Sequence, residues 1–253
     1  MLVGIFAIVN IAIWFKGNYD NRQIISQLTE TVSSKEIEEK SKDTLEKSLL
    51  KFGLKKYSID FDKLKNRNDE VVGWLKVNNT DIEIPVVQGT NNEYYLSRNL
   101  DKKYNKAGWV FGDYRNTDIS KDQNYIIYGH NIRDNSMFGT LDNALSKEWF
   151  EQKTSKYITY ITEKEYAVYE VFTVFQIPDE FEFVRKDFSE INVKEFANNM
   201  IKRSRHDFKT EVTEKDKILT VSTCADNYYF RIVVQGKKVL SHKFPEKPNK
   251  LRK

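Results

Sequence analysis

The sequence predicts a mainly β protein, most simply a closed barrel of roughly eight strands with few helices. Three observations lead there. From about Val71 onward, short apolar runs alternate with turn signals, the period-two spacing of half-buried strands. A hydrophobic fraction of 40%, with 13% aromatic residues, supplies a sizeable core for 253 residues and excludes wholesale disorder. Ten glycines and four prolines are too few for a collagen-like or proline-rich chain. Closure into a barrel is the simplest solution because it leaves no exposed sheet edge.

Residues 2–15, LVGIFAIVNIAIWF, are apolar apart from Asn10, and the chain turns polar at Lys16. At about 1.5 Å per residue the run covers ~21 Å of a ~30 Å hydrocarbon core, the length of a signal-type segment or a short anchor. Trp14 and Phe15 lead straight into Lys16 with no small-x-small cleavage site, so residues 1–17 are expected to be an uncleaved membrane anchor. Lys16 and Arg22 follow the run and no Lys or Arg precedes it, a charge order that favours the opposite orientation to an outward-facing body. A basic leader encoded upstream of Met1 would reverse that bias.

Residues 18–56 read as a polar helical stalk. Ile25, Leu28 and Val32 keep one face, and Ile37, Leu45, Leu49 and Leu50 suggest a second amphipathic stretch ending near Gly53. The body is expected over 57–245, followed by a basic tail at 246–253. Within the body, strands 71–77 and 82–87 flank the turn Asn78-Asn79-Thr80. Thr90 and Glu93 fit a capping box for a short helix through Leu96. Further strands are expected at 108–111, 124–128, 157–162, 166–177, 218–224 and 230–240. Residues 191–205 have helical spacing through Phe196, Met200 and Ile201, which sets a helix between the sixth and seventh strands.

A net charge of +4, from 41 basic and 37 acidic residues, is too mild for a nucleic-acid partner, and no basic stripe carries interleaved aromatics. One cysteine excludes an intrachain disulfide and a cysteine-based metal cluster. No metal-ligand cluster or phosphate loop is present, so no cofactor or metal is expected. Cys224 ends the string Thr220-Val221-Ser222-Thr223-Cys224, His130 ends Tyr125-Ile126-Ile127-Tyr128-Gly129-His130, and Arg231 opens the next strand. A thiol of ordinary pKa, ~8.5, is only slightly ionised near neutrality and needs a partner or a positive field to react. Cys, His and Arg meeting at one barrel rim would supply a nucleophile, an acid–base and an oxyanion donor for acyl transfer. By spacing alone the signal is weak, since a lone cysteine is more often a packed small hydrophobe and a lone histidine or strand arginine is usually structural.

The strings themselves go further. Thr220-Val221-Ser222-Thr223-Cys224 with Arg231 resembles the TLxTC…R signature of sortases, the cysteine transpeptidases of Gram-positive bacteria. Tyr128-Gly129-His130-Asn131 with Ser136-Met137-Phe138-Gly139-Thr140-Leu141 is similar to the class B histidine segment, as are Pro85-Val86-Val87-Gln88-Gly89, Asn92-Glu93-Tyr94-Tyr95-Leu96 and Asp113-Tyr114-Arg115-Asn116. The resemblance covers about residues 57–242. It implies a closed eight-stranded sortase-type β-barrel with N-terminal helices and a helical insertion between strands 6 and 7. Two departures stand out: Val221 replaces the usual Leu, and Arg231 follows Cys224 by only seven positions.

The resemblance further implies that Cys224 attacks the carbonyl of a threonine in a C-terminal sorting signal, that His130 shuttles the proton, and that Arg231 stabilises the oxyanion. Asn92, Leu96, Tyr128, Ser222 and Thr223 match substrate-binding positions. The implied partners are sorting signals of secreted surface proteins, of NPQTN-like or PxTG-like type, and an amine acceptor on a peptidoglycan precursor or a pilin. The implied location is the cell membrane, single-pass, with the catalytic domain outside. Asp226 reads as a turn residue, with orientation of His130 as the alternative, and His206 and His242 read as surface residues. A papain-like protease is disfavoured because its Cys precedes its His in sequence. A non-catalytic membrane-tethered β-domain is the alternative of a different class.

Overall fold

The computed structural model describes residues 2–38, 41–178, 182–223 and 230–245. Cys224, Asp226 and the expected basic tail therefore lie outside the described residues. The apolar N-terminal run continues without a break into the polar stretch as one helix, α1 (Leu2–Gln27), so the expected anchor–stalk boundary falls inside it. No helix among the described residues is long and apolar enough to cross a membrane. In the first half of α1, Phe6, Val9, Ile11, Ile13 and Phe15 are exposed, whereas Asn18, Asn21 and Ile24 in the second half are buried. The buried stripe is Ile24 and Leu28, with Ile25 and Val32 only partly covered. Asparagine contacts, described below, decide how the helix docks, and apolar periodicity alone did not reveal them.

A two-stranded antiparallel sheet follows, β1 (Val32–Lys35) with β2 (Lys56–Ile59), which the polar sequence of β1 gave no sign of. Between them, α2 (Thr44–Phe52) starts where Asp43 accepts the Glu46 N–H and stops at Gly53, whose φ of 69° suits the left-handed helix end. Asp60 caps α3 (Phe61–Arg67) in the same way.

The body is the predicted barrel. Its strands are β3 (Val71–Val77), β4 (Glu83–Val87), β5 (Phe111–Gly112), β6 (Asn124–Gly129), β7 (Tyr157–Ile161), β8 (Glu165–Pro178), β9 (Ile218–Thr223) and β10 (Phe230–Lys243). They close in the order β10-β8-β7-β3-β4-β5-β6-β9. All pairs are antiparallel except β4–β5 and β6–β9. Register shifts on β10 against β8 bend these two long strands around the barrel. Alternate residues such as Leu75, Val86, Ile126, Val174, Leu219 and Val234 are fully buried, each contributing about 1.5–3 kcal/mol.

Two short helices complete the body, α4 (Lys147–Phe150) and α5 (Val193–Ile201), the latter capped by Asn192 in the connection between β8 and β9. Three local expectations shift. The capping-box helix is a single 3-10 turn, Tyr94–Leu96, whose entry is held by Asn91 accepting the N–H groups of Glu93 and Tyr94. Asn91 outcompetes Thr90 because its carbonyl reaches both donors. The third strand shrinks to two residues, because Trp109 N–H goes to the Tyr95 carbonyl instead of a neighbouring strand. The insertion helix is shorter than 191–205 at both ends.

Candidate active site

β6 and β9 lie side by side and parallel, pairing Tyr128 with Ser222 and Gly129 with Thr223. Those are the last paired residues; His130 follows one and Cys224 follows the other in sequence.

His130 is buried. Its Nε2 lies 2.7 Å from the Leu96 carbonyl oxygen. A carbonyl can only accept, so Nε2 carries a proton and proton exchange falls to Nδ1. Around the ring the backbone stands unusually close. Gly108 sits at φ 57°, and a Cβ there would come within 2.7 Å of His130 Cδ2 and 2.6 Å of the Tyr95 carbonyl oxygen. A Cβ on Gly129 would strike the Phe138 ring at 2.7 Å. The segment after the histidine folds back so that Phe138 N–H reaches the His130 carbonyl at 2.9 Å.

The Gly108 wall is braced from outside by α1. Asn21 Nδ2 donates to the Gly108 carbonyl at 3.0 Å, and Asn105 Nδ2 donates to Asn21 Oδ1 at 2.7 Å and to the Gly17 carbonyl at 2.8 Å. Arg22 lies 3.4 Å from Asp134, in the loop that follows His130.

On β10, Arg231 donates from Nη1 to the Thr223 carbonyl at 3.2 Å. Its guanidinium is therefore tied to the residue that precedes Cys224. Thr223 and Ser222 are buried, and both hydroxyls expected on the groove are bonded to backbone. Thr223 Oγ1 accepts the Ile232 N–H at 2.9 Å, and Ser222 Oγ donates to the Thr223 carbonyl at 3.1 Å. Tyr128 is buried and donates its hydroxyl to Asp113 Oδ2 at 3.0 Å. Burial, reinforced by the Asp113 charge, pushes the Tyr128 phenol up, so it stays a donor. Asn92 is half-buried and also donates to Asp113, at 3.2 Å. Leu96 contributes its carbonyl to His130 and is half-buried.

Sequence reasoning assigned no role to Asp113, Arg115, Gly108 or Asn21. The signal on offer was opposite charge two positions apart, Asp113 and Arg115; the segment is a turn in which the Arg115 backbone N–H and guanidinium both reach the Asp113 carboxylate. Burial pushes the Asp113 carboxyl up, but hydrogen bonds from Arg115 and its charge outweigh that and hold it below the ordinary carboxylate value. His206, expected at the surface, is half-buried and stacked on Phe150 at 4.6 Å. Among the described residues, no three His, Cys, Asp or Glu side chains converge as a metal site.

A closed barrel that presents a histidine and an arginine beside the strand leading to its sole cysteine has the parts of a thiol acyl-transferase. A sortase-domain family model matches residues 75–239. Sortase B of Listeria monocytogenes is 35% identical over 181 residues, covering 70% of this chain and 72% of the relative. Sortase B of Staphylococcus aureus is 32% identical over 183 residues, covering 70% and 73%. The solved Staphylococcus aureus sortase B–substrate complex aligns with a TM-score of 0.65 at 31% identity, over 71% of this chain and 84% of that one. A B. anthracis sortase B structure aligns with a TM-score of 0.71 at 31% identity, over 89% and 99%. The chain belongs to the sortase family, in its class B branch, and is a cysteine transpeptidase.

Proposed function

We propose that the chain is a membrane-tethered enzyme that cleaves a C-terminal sorting motif after its threonine and transfers the freed acyl group to an amine of the cell envelope. The parallel register of β6 and β9 carries this reading, since Gly129 pairs with Thr223 and the next residues are His130 and Cys224. Parallel pairing points both strands the same way, so Gly129 and Thr223 end them at one rim, which supports the reading.

The chemistry runs in two halves. The Cys224 thiolate attacks the threonine carbonyl carbon, and the oxyanion is met by Arg231. As the peptide C–N bond breaks, His130 gives its Nδ1 proton to the leaving amine, and a thioester remains. The incoming amine then attacks that thioester and returns a proton to His130. The Cys224 thiolate departs and a new amide bond stands in place of the old one. Asn92, Leu96 and Tyr128 line the peptide groove, and Ser222 and Thr223 support it from the strand end, Thr223 through the carbonyl that holds Arg231. The Staphylococcus aureus relative solved as a substrate complex supports a bound substrate in this groove. The acceptor amine belongs to a peptidoglycan precursor or a pilin.

Cys224→Ala tests the assignment. Incubation with a peptide carrying an NPQTN-type or PxTG-type motif is expected to give a thioester-linked fragment by mass spectrometry on the wild type and none on the variant. Turnover by the alanine variant would remove Cys224 as nucleophile.

The N-terminal segment, residues 1–17, is the proposed tether, with the domain outside. The exposed apolar side chains of α1 support a lipid contact. Protease added to intact protoplasts is expected to digest the domain; protection until the membrane is permeabilised would reverse the orientation.

A further inference from the structure

Asp113 gathers more hydrogen bonds than any step of acyl transfer requires. Its carboxylate is fully buried at 0% side-chain exposure. Oδ1 accepts from Arg115 Nε at 2.8 Å and from the Arg115 backbone N–H at 2.9 Å. Oδ2 accepts from Arg115 Nη2 at 2.7 Å, from the Tyr128 hydroxyl at 3.0 Å and from Asn92 Nδ2 at 3.2 Å. Asn92 in turn accepts the Tyr114 N–H at 2.9 Å. Arg115 Nη2 also reaches the Val184 carbonyl at 3.5 Å, on the long connection between β8 and α5. One carboxylate thus joins the turn before Tyr94–Leu96, strand β6 and the insertion.

We propose that Asp113 is a positioning residue for substrate: it fixes Asn92 and Tyr128 as one wall of the peptide groove and, through Arg115, ties the β8–α5 connection to that wall. The inference rests on the transpeptidase reading and deepens it by assigning donor-peptide affinity to a residue outside the nucleophile, acid–base and oxyanion roles. The histidine is held elsewhere, by the Leu96 carbonyl, and the arginine by the Thr223 carbonyl. Loosening the Asp113 wall therefore disturbs the seat of the peptide and leaves both of those bonds intact. Asparagine at this position keeps the shape but turns one acceptor into a donor. That amide would face the donors of Tyr128 and Asn92, or those of Arg115, and one side of the wall must open.

The test uses the full chain and fluorogenic peptides of NPQTN type and PxTG type. Asp113→Asn is expected to raise KM by about tenfold to a hundredfold, the scale of losing a charged hydrogen bond, with kcat within about threefold. Tyr128→Phe should raise KM too. The double variant should be no worse than Asp113→Asn alone, because both changes break one unit. The amplitude of the cooperative urea unfolding transition gives the folded fraction used to normalise kcat. Should Asp113→Asn fail to fold, Arg115→Lys carries the test. It keeps the charge, loses the two-pronged grip, and is expected to raise KM in the same way. A fall in kcat at constant KM, additive single effects, or an unmoved KM in Arg115→Lys would overturn the proposal. If the wild type forms no acyl-enzyme with either peptide, the proposed sorting-motif reading falls and takes this one with it. If the wild type turns over and Asp113→Asn keeps its KM, this inference alone falls.

Discussion

The two sides of the site are built from different materials. The histidine side is backbone: the Leu96 carbonyl fixes one ring nitrogen, and Gly108 leaves no room beside the ring, while Gly129 lies against Phe138. The arginine side is side chain: Asp113, Arg115, Tyr128 and Asn92 interlock through charge-assisted bonds, and Arg231 adds its own to a carbonyl. A wall made of backbone is set by van der Waals contact and has no charge to titrate or screen. A wall made of side chains can be loosened one bond at a time. His130, the proposed acid–base group, whose reach to the reacting atoms would tolerate little error, sits in the rigid half. The residues proposed to seat the peptide, Asn92 and Tyr128, sit in the adjustable half.

The comparison breaks most visibly at Gly108. Gly108→Ala adds a Cβ 2.7 Å from the His130 ring and 2.6 Å from a backbone carbonyl, at a φ of 57° that suits glycine. We expect kcat/KM to fall by about a hundredfold or more, since a misplacement near 1 Å is worth that much. The barrel should still give a cooperative melt. Retained activity would mean that the wall is as pliable as the opposite one.

Asn21→Ala sharpens the contrast one layer out. It strips the bond to the buried Gly108 carbonyl and leaves Asn105 with an unmatched donor. The expected cost is about 1–3 kcal/mol of stability by urea denaturation, the range for buried groups left unsatisfied. Arg22→Ala, which removes an ion pair whose arginine is 57% exposed, should stay within about 1 kcal/mol. Equal losses from the two would show that α1 is held by general contact and that the asparagine bond to the wall is incidental.

Much of the barrel was legible because long strands flanked by turn residues announce themselves by alternation. Strand 71–77 emerged with the predicted ends, and the fourth, sixth and eighth strands within a few residues. The parts that were not legible share a cause: their partners are distant or are backbone. β5 has only two residues. β1 has one half-covered position among exposed ones. Asn21 meets Gly108 across 87 positions of sequence, and no local pattern encodes that. In the candidate site, His130 was singled out from its place at a strand end, but the Leu96 carbonyl that orients it is invisible to residue-type reasoning. Asp113 stood in plain sight beside Arg115; its bonds to Tyr128 and Asn92, 15 and 21 positions away, gave it significance only in three dimensions.

The parallel pairing of β6 with β9 has a consequence for the life history of the chain. Asn124 pairs with Ile218, on a strand synthesised long after β6 is complete. β9 itself is zipped to β10, which ends the described body. Contacts between segments so far apart form late, because the intervening chain must surrender its freedom before any pairing rewards it. Arg231 also lies beyond that point. A chain still emerging, or cut short ahead of β9, holds its imidazole but neither thiol nor guanidinium. On the proposed roles of these three residues, acylating power would arrive together with the last strands, and no partly made copy would act on the peptides around it.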